Sequence, residues 1–182
     1  MLDFAQWLQA TRFSVTVQSV EWIIPTLQSI HILMIGVVFV SILMVALRVL
    51  GRVRTDETLA QVWNRFAPWM WVGIVVMAVT GVLLVIGEPV REFTALSFWI
   101  KMALIVVGVA SALLFGRAAR AAAAEGPAQL SPGMKSMAVG TIVLWLAIIF
   151  LGRAIAYDRE VWGSLSLSAA VHSSIGAEPA WI

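Results

Sequence analysis

No cysteine occurs in these 182 residues, and only two of them are histidine. The first absence excludes a disulfide frame, a thiolate-held iron–sulfur cluster and a thiol nucleophile. It does not report a compartment, because a membrane chain can avoid cysteine on either side. Charge is scarce too. Charged residues make up 12% of the chain, against about 25% in a water-soluble domain, so a soluble fold of this size could not cover itself with polar groups. With 61% hydrophobic residues, the expected class is an all-α integral membrane protein of one domain. The net charge of +2 does not point to nucleic acid, since the arginines sit between apolar runs and form no patch. The opening MLDFAQWLQATRF lacks a basic stretch followed by an apolar core and does not read as a cleaved signal peptide.

What the chain does have is long apolar runs. Spans are expected at roughly 24–50, 68–86, 97–115 and 135–155, each near the ~20 residues that cross a hydrocarbon core of about 30 Å. They make a four-helix bundle over residues 22–157. Residues 1–21 carry Asp3, Gln6, Gln9, Arg12 and Gln18 among apolar positions and read as an amphipathic helix in the membrane interface. Residues 56–66 read as a short interfacial helix, the Ala-rich stretch 118–133 as a loop, and 158–182 as a tail or surface helix. Lysine and arginine orient the bundle. Arg48, Arg52, Arg54 and Arg65 share one loop and Arg117, Arg120 and Lys135 another, whereas the middle loop holds only Arg91. The bias puts the two basic loops in the cytoplasm and both termini in the periplasm of a bacterial inner membrane.

That topology gives each polar residue a depth. His31 lies about 10 Å below the outer end of span one, and Lys101 about 6 Å below the outer end of span three. Span two passes the same level at Thr80–Gly81, where a glycine lets a flat ligand or another helix approach closely. An ionisable residue at such depth is a functional hypothesis by default. A neutral imidazole in apolar surroundings suits an axial bond to haem iron, and a helical bundle core suits a porphyrin. Arg153 and Arg91 are the cations expected to meet the propionates. The second ring nitrogen is expected to donate to the Leu27 carbonyl or to Gln28. Lys101, Met34, Met102 or no residue would take the sixth position.

Blander roles compete. His31 could be hydrogen-bonding glue between helices, Lys101 a snorkelling lysine, and the methionines core filler. Trp22, Trp69, Trp71 and Trp99 read as an interfacial aromatic belt. His172 falls in a polar stretch and reads as solvated. Copper or zinc would need clustered His, Cys or Met ligands that the sequence does not offer. A proton pump would need intramembrane carboxylates that the spans lack.

Several short motifs resemble something known. The run IPTLQSIHILMIGVVFVSILMVALRVLG, with His31 and Arg48, resembles the first span of a group of small bacterial four-helix membrane proteins of undefined function. That group is similar in plan to the HemJ-type protoporphyrinogen oxidases and to the membrane part of copper-resistance protein D. TGVLLVIGEP in span two, FWIKMAL around Lys101, and the run from Gly152 and Arg153 to Tyr157 carry the rest of the likeness, over roughly residues 20–157. The resemblance implies b-type haem at His31, with Lys101 functionally linked to it. Three functions follow as expectations. The first is a haem-b electron carrier, working with a quinone or inside a larger membrane complex. The second is a haem-dependent oxidase of porphyrinogens, with a porphyrin as ligand. The third is a cofactor-free structural or assembly protein. Gly36, Gly73, Gly81, Gly108 and Gly140 would permit tight helix contacts, including those of a homo-oligomer.

Overall fold

The computed structural model describes residues 1–125 and 132–166. Two short helices open the chain, α1 (Leu2–Gln9) and α2 (Arg12–Ser19). Four long ones follow: α3 (Ile23–Val49), α4 (Leu59–Gly87), α6 (Leu96–Glu125) and α7 (Pro132–Ala154). The short α5 (Pro89–Thr94) links α4 to α6, and a 3₁₀ turn (Ile155–Tyr157) leads from α7 into α8 (Asp158–Trp162). Among the described residues there is no strand. Among them, four helices are long and apolar enough to cross a membrane, and many of their outward side chains are large and apolar, such as Leu33, Val75, Val106 and Phe150.

Local chemistry explains the helix ends. Thr58 and Gln61 form a capping box that starts α4. Gly51, at φ +69°, ends α3 in the left-handed conformation, and the amide of Arg52 reaches back to the Leu47 carbonyl. Three segments differ from expectation. Residues 59–87 form one continuous helix, with Pro68 inside it; the capping box sets the start, and an exposed proline on an otherwise apolar helix does not stop it. The alanine run after Gly116 continues α6 to Glu125, because alanine is the best helix former. Residues 2–19 form two helices, divided where Thr11 caps α2 through the Ser14 amide at 3.3 Å.

The N-terminal helices dock on the bundle. Ser14 donates from Oγ to the Ile86 carbonyl at 2.7 Å, which satisfies one of the open carbonyls at the end of α4. Val17 and Ile24 close over Gly87, and Phe4 meets Phe93 of α5 edge to face at 5.9 Å. The rest of α1 looks outward through Phe4 and Trp7 on one side and Asp3, Gln6 and Gln9 on another.

The long helices alternate in direction. Along α3 and α4 the contacts advance oppositely: Ile24 on Gly87, His31 beside Gly81, Val38 on Gly73. Along α6 and α7 they run from Lys101 beside Gly152 to Gly108 against Trp145. Helix α3 packs on α4 and α7, and α6 packs on the same two, so α3 and α6 face each other diagonally. Below, the near end of the bundle is the one where α3 begins.

The core is uneven along the bundle axis. The main buried cluster joins Val38–Val49 of α3, Leu59–Met70 of α4, Ala112–Ala119 of α6 and Ala138–Ile148 of α7. All of this lies in the far half and the middle. Here α6 crosses α4 at Gly116, where an added Cβ would sit 2.6 Å from Cζ2 of Trp63. Gly116→Ala should therefore cost about 1–3 kcal/mol through overpacking, read as a lower thermal midpoint in detergent. Gly36→Ala, with nothing within 4 Å, should move it much less.

Toward the near end the core thins out. Helix α3 buries no residue before Val38, α4 only Thr80 between Gly73 and Gly87, α6 none between Phe98 and Gly108, and α7 none after Ile148. A small second cluster, Ala95, Phe98 and Ile155, closes the very end. Between the two clusters lies a band without a closed apolar core.

Candidate functional site

His31 and Lys101 both lie in this band. The Nδ1 atom of His31 is 2.8 Å from Oγ1 of Thr80. Thr80 is 5% exposed, and its hydroxyl lies 2.8 Å from the Val76 carbonyl one turn back. A hydroxyl has one proton; given to the Val76 carbonyl, as at many helical threonines, it leaves the oxygen to accept from Nδ1–H of the imidazole. That pairing leaves Nε2 with the lone pair. No residue among those described bonds to Nε2. Gly81 adjoins the same ring, with Cε1 3.4 Å from where its Cβ would be.

Sequence reasoning placed the imidazole's partner on its own helix, at Leu27 or Gln28, and the structure corrects this. The Leu27 carbonyl belongs to the ladder of α3, and Gln28 is exposed. The ring turns instead across to α4, where Thr80 waits at the same depth. The signal was present in the pair Thr80–Gly81, of which only the glycine was given a role.

Lys101 comes from the diagonal helix. Its ammonium lies 5.9 Å from the centre of the Phe98 ring, and its stem passes Gly152 at 3.8 Å from where that residue's Cβ would be. It has neither a salt bridge nor a hydrogen bond among the described residues. A half-buried ammonium without a salt bridge is costly in apolar surroundings.

The two arginines lie further out. Arg91 is tied to Glu88 and, at 3.4 Å, to the buried Glu92, so its charge is already matched. Arg153 is exposed at the end of α7, with its guanidinium 5.2 Å from the Tyr157 ring centre and 3.3 Å from the Tyr157 hydroxyl. Met34 and Met102 are half-buried on α3 and α6, Met102 against the near-end cluster. His172 lies outside the described residues. Among the described residues no cluster of three or more His, Cys, Asp or Glu is placed to hold a bare metal ion.

One polar centre near the site was not foreseen. Asp158 is 5% exposed and accepts from the amides of Leu96 at 3.1 Å and Ser97 at 2.9 Å, and from the Ser166 hydroxyl. Trp162 donates to Oγ of Ser97 at 2.8 Å. Ala95 at the head of α6 has no side-chain acceptor, so a carboxylate from beyond α7 caps that helix from outside. The segment had read as the start of a tail because its partners are remote in sequence.

Residues 4–158 match the model of a family described as a family of unknown function (DUF6644), and the chain belongs to that family. The match takes in both N-terminal helices, all four long helices and the Asp158 carboxylate. No curated protein and no solved structure matches significantly.

Proposed function

We propose that this member of the family is a multi-pass membrane protein that binds b-type haem through Nε2 of His31 and serves electron transfer. One observation carries the reading: an imidazole nitrogen with no hydrogen-bond partner and an ammonium with no salt bridge, both among the described residues, share the band where the bundle lacks a closed core. Haem wants those groups together. Its iron takes a neutral imidazole, its porphyrin takes apolar helix faces, and its propionates take a cation. Once bound, haem supplies one-electron chemistry.

The chain's own residues have distinct tasks. Thr80 holds the ring by accepting from Nδ1–H, which keeps Nε2 deprotonated and raises its basicity. Gly81 keeps the face of α4 flat beside the imidazole. Lys101 offers its charge to a propionate, and Arg153 lies further out on the same side. Arg91, already matched by two carboxylates, is the weaker partner. The basic far end, with Arg48, Arg52, Arg54 and Arg65, orients the chain with that end in the cytoplasm of a bacterial inner membrane and the haem in the periplasmic half. The resemblance of the His31, Lys101 and Gly152–Tyr157 motifs to HemJ-type proteins and copper-resistance protein D supports the same reading.

The test is an absorption spectrum of protein purified from a haem-replete host, oxidised and then reduced with dithionite. A Soret band with sharpened reduced bands, and stoichiometric haem by the pyridine assay, is the expected result. A colourless, folded preparation would leave His31 as a packing contact to Thr80 and end the haem reading.

A further inference from the structure

The far end of the bundle gathers three arginines around one acidic residue. Arg48, in the last turn of α3, donates from Nε to the Glu57 carbonyl at 2.6 Å. Arg54 holds a left-handed backbone at φ +51°, which a residue with a side chain seldom adopts. From that turn its Nη1 lies 2.5 Å from Oε1 of Glu57, and its guanidinium stands 5.6 Å from the centre of the Phe66 ring. Arg65 of α4 brings Nη2 to 3.2 Å from Oε2, with no hydrogen bond formed to that oxygen. Asp56, the neighbouring acid, forms no ion pair with them among the described residues. Three guanidinium groups thus share one carboxylate, and positive charge is left over. The terminal nitrogens of Arg48 have no acceptor among the described residues. With Glu57 already shared, they and the donors of Arg65 can take a second anion.

The course of α4 beyond Arg65 selects the kind of anion. Trp69, Val72 and Val79 follow Arg65 on the same helix face, and all are exposed, at 65%, 56% and 56%. This outward apolar stripe runs about 21 Å from the arginine, enough to accompany an acyl chain through one leaflet of a hydrocarbon core about 30 Å thick. Pro68 adjoins the stripe and has no N–H, so the Asn64 carbonyl beside Arg65 loses its helical donor. A ligand with a phosphate, hydroxyl groups and an apolar tail answers all three features. Free phosphate answers only the first.

We propose that the arginines around Glu57, continued by the α4 face from Arg65 to Val79, bind an anionic phospholipid of the phosphatidylglycerol class. The guanidinium groups hold its phosphate, the Asn64 carbonyl accepts from its glycerol, and one chain lies along the stripe. Glu57 is a positioning residue that keeps Arg54 and Arg65 converged. Arg65 lies about 22 Å along α4 from Thr80, so this surface is separate from the haem site and needs no haem.

The test uses full-length protein, delipidated in a mild detergent and titrated with dioleoylphosphatidylglycerol or dioleoylphosphatidylcholine under native mass spectrometry. Wild type should hold the anionic lipid about tenfold more tightly, at roughly 1 kcal/mol per cation. The Arg48→Gln, Arg65→Gln double variant should lose that preference. Arg65→Gln alone should lower it about threefold; this position is exposed, so the single variant covers a double variant that fails to fold. Arg117→Gln, an exposed cation at the same end on α6, should leave the preference unchanged. Glu57→Gln adds net positive charge yet should weaken retention, because Arg54 and Arg65 lose the oxygens that gather them. Inorganic phosphate should not displace the lipid. Equal retention of the two lipids by wild type would overturn the proposal, as would an unchanged preference in both arginine variants. The same loss in Arg117→Gln, or tighter retention in Glu57→Gln, would reduce the effect to general charge attraction and overturn it too. Displacement by inorganic phosphate would mark a soluble-anion site in place of a lipid one.

Discussion

His31→Ala yields a folded protein without a Soret band. The loss should be nearly complete, because no other imidazole among the described residues can replace the ligand. The fold should survive. His31 is only half-buried and makes one side-chain hydrogen bond, so its removal costs about 1 kcal/mol. Thr80→Val separates ligation from mere proximity. Valine keeps the shape and removes the acceptor, leaving Nδ1–H without its partner and the tautomer unfixed. Loss of such an outer hydrogen bond weakens metal binding by about 10–100-fold, so haem should wash out of this variant more readily, whereas Thr80→Ser should hold it. Equal haem content in wild type and His31→Ala would remove the axial assignment whatever Thr80 does.

The largest effect on stability is expected at Asp158. Its carboxylate receives two amides at the head of α6 and the Ser166 hydroxyl. Asp158→Ala strands those donors and takes a negative charge from a helix N-terminus. A lost cap costs about 0.5–2 kcal/mol, and each stranded buried donor adds about 1–3 kcal/mol. A fall of roughly 3 kcal/mol is a fair sum, since Ala95 offers no substitute cap and part of the cost is relieved by local movement. Unfolding in mixed micelles should show the shift. Asp158→Asn, which keeps one acceptor and the shape, should lie between. If Asp158→Ala unfolds like wild type, the carboxylate is not what holds the 155–166 segment over α6. Haem content tracks the same variant, because α6 also positions Lys101.

The long helices were legible because lipid imposes one demand: enough consecutive apolar residues to span. Once the ends of α3, α4, α6 and α7 are placed, the antiparallel register follows. That is why His31 and Gly81 fall at matching levels on neighbouring helices. Pairings across the register were not legible. Nothing local distinguishes Thr80 from the other threonines, and its role depends on the direction in which the His31 ring turns. Asp158 looked like the first residue of a polar tail, since its amide partners belong to a helix that begins far upstream. Helix lengths also escaped, because Pro68 and the alanine run carry signals that capping and propensity override.

The clasp of Ser14 on the Ile86 carbonyl and of Val17 on Gly87 has a consequence for the order of assembly. Residues 1–19 are synthesised before α3 and α4, yet their docking surface is made only once those two helices have paired. Their closure onto α4 is thus a late event in folding, and it reports that the first hairpin has formed.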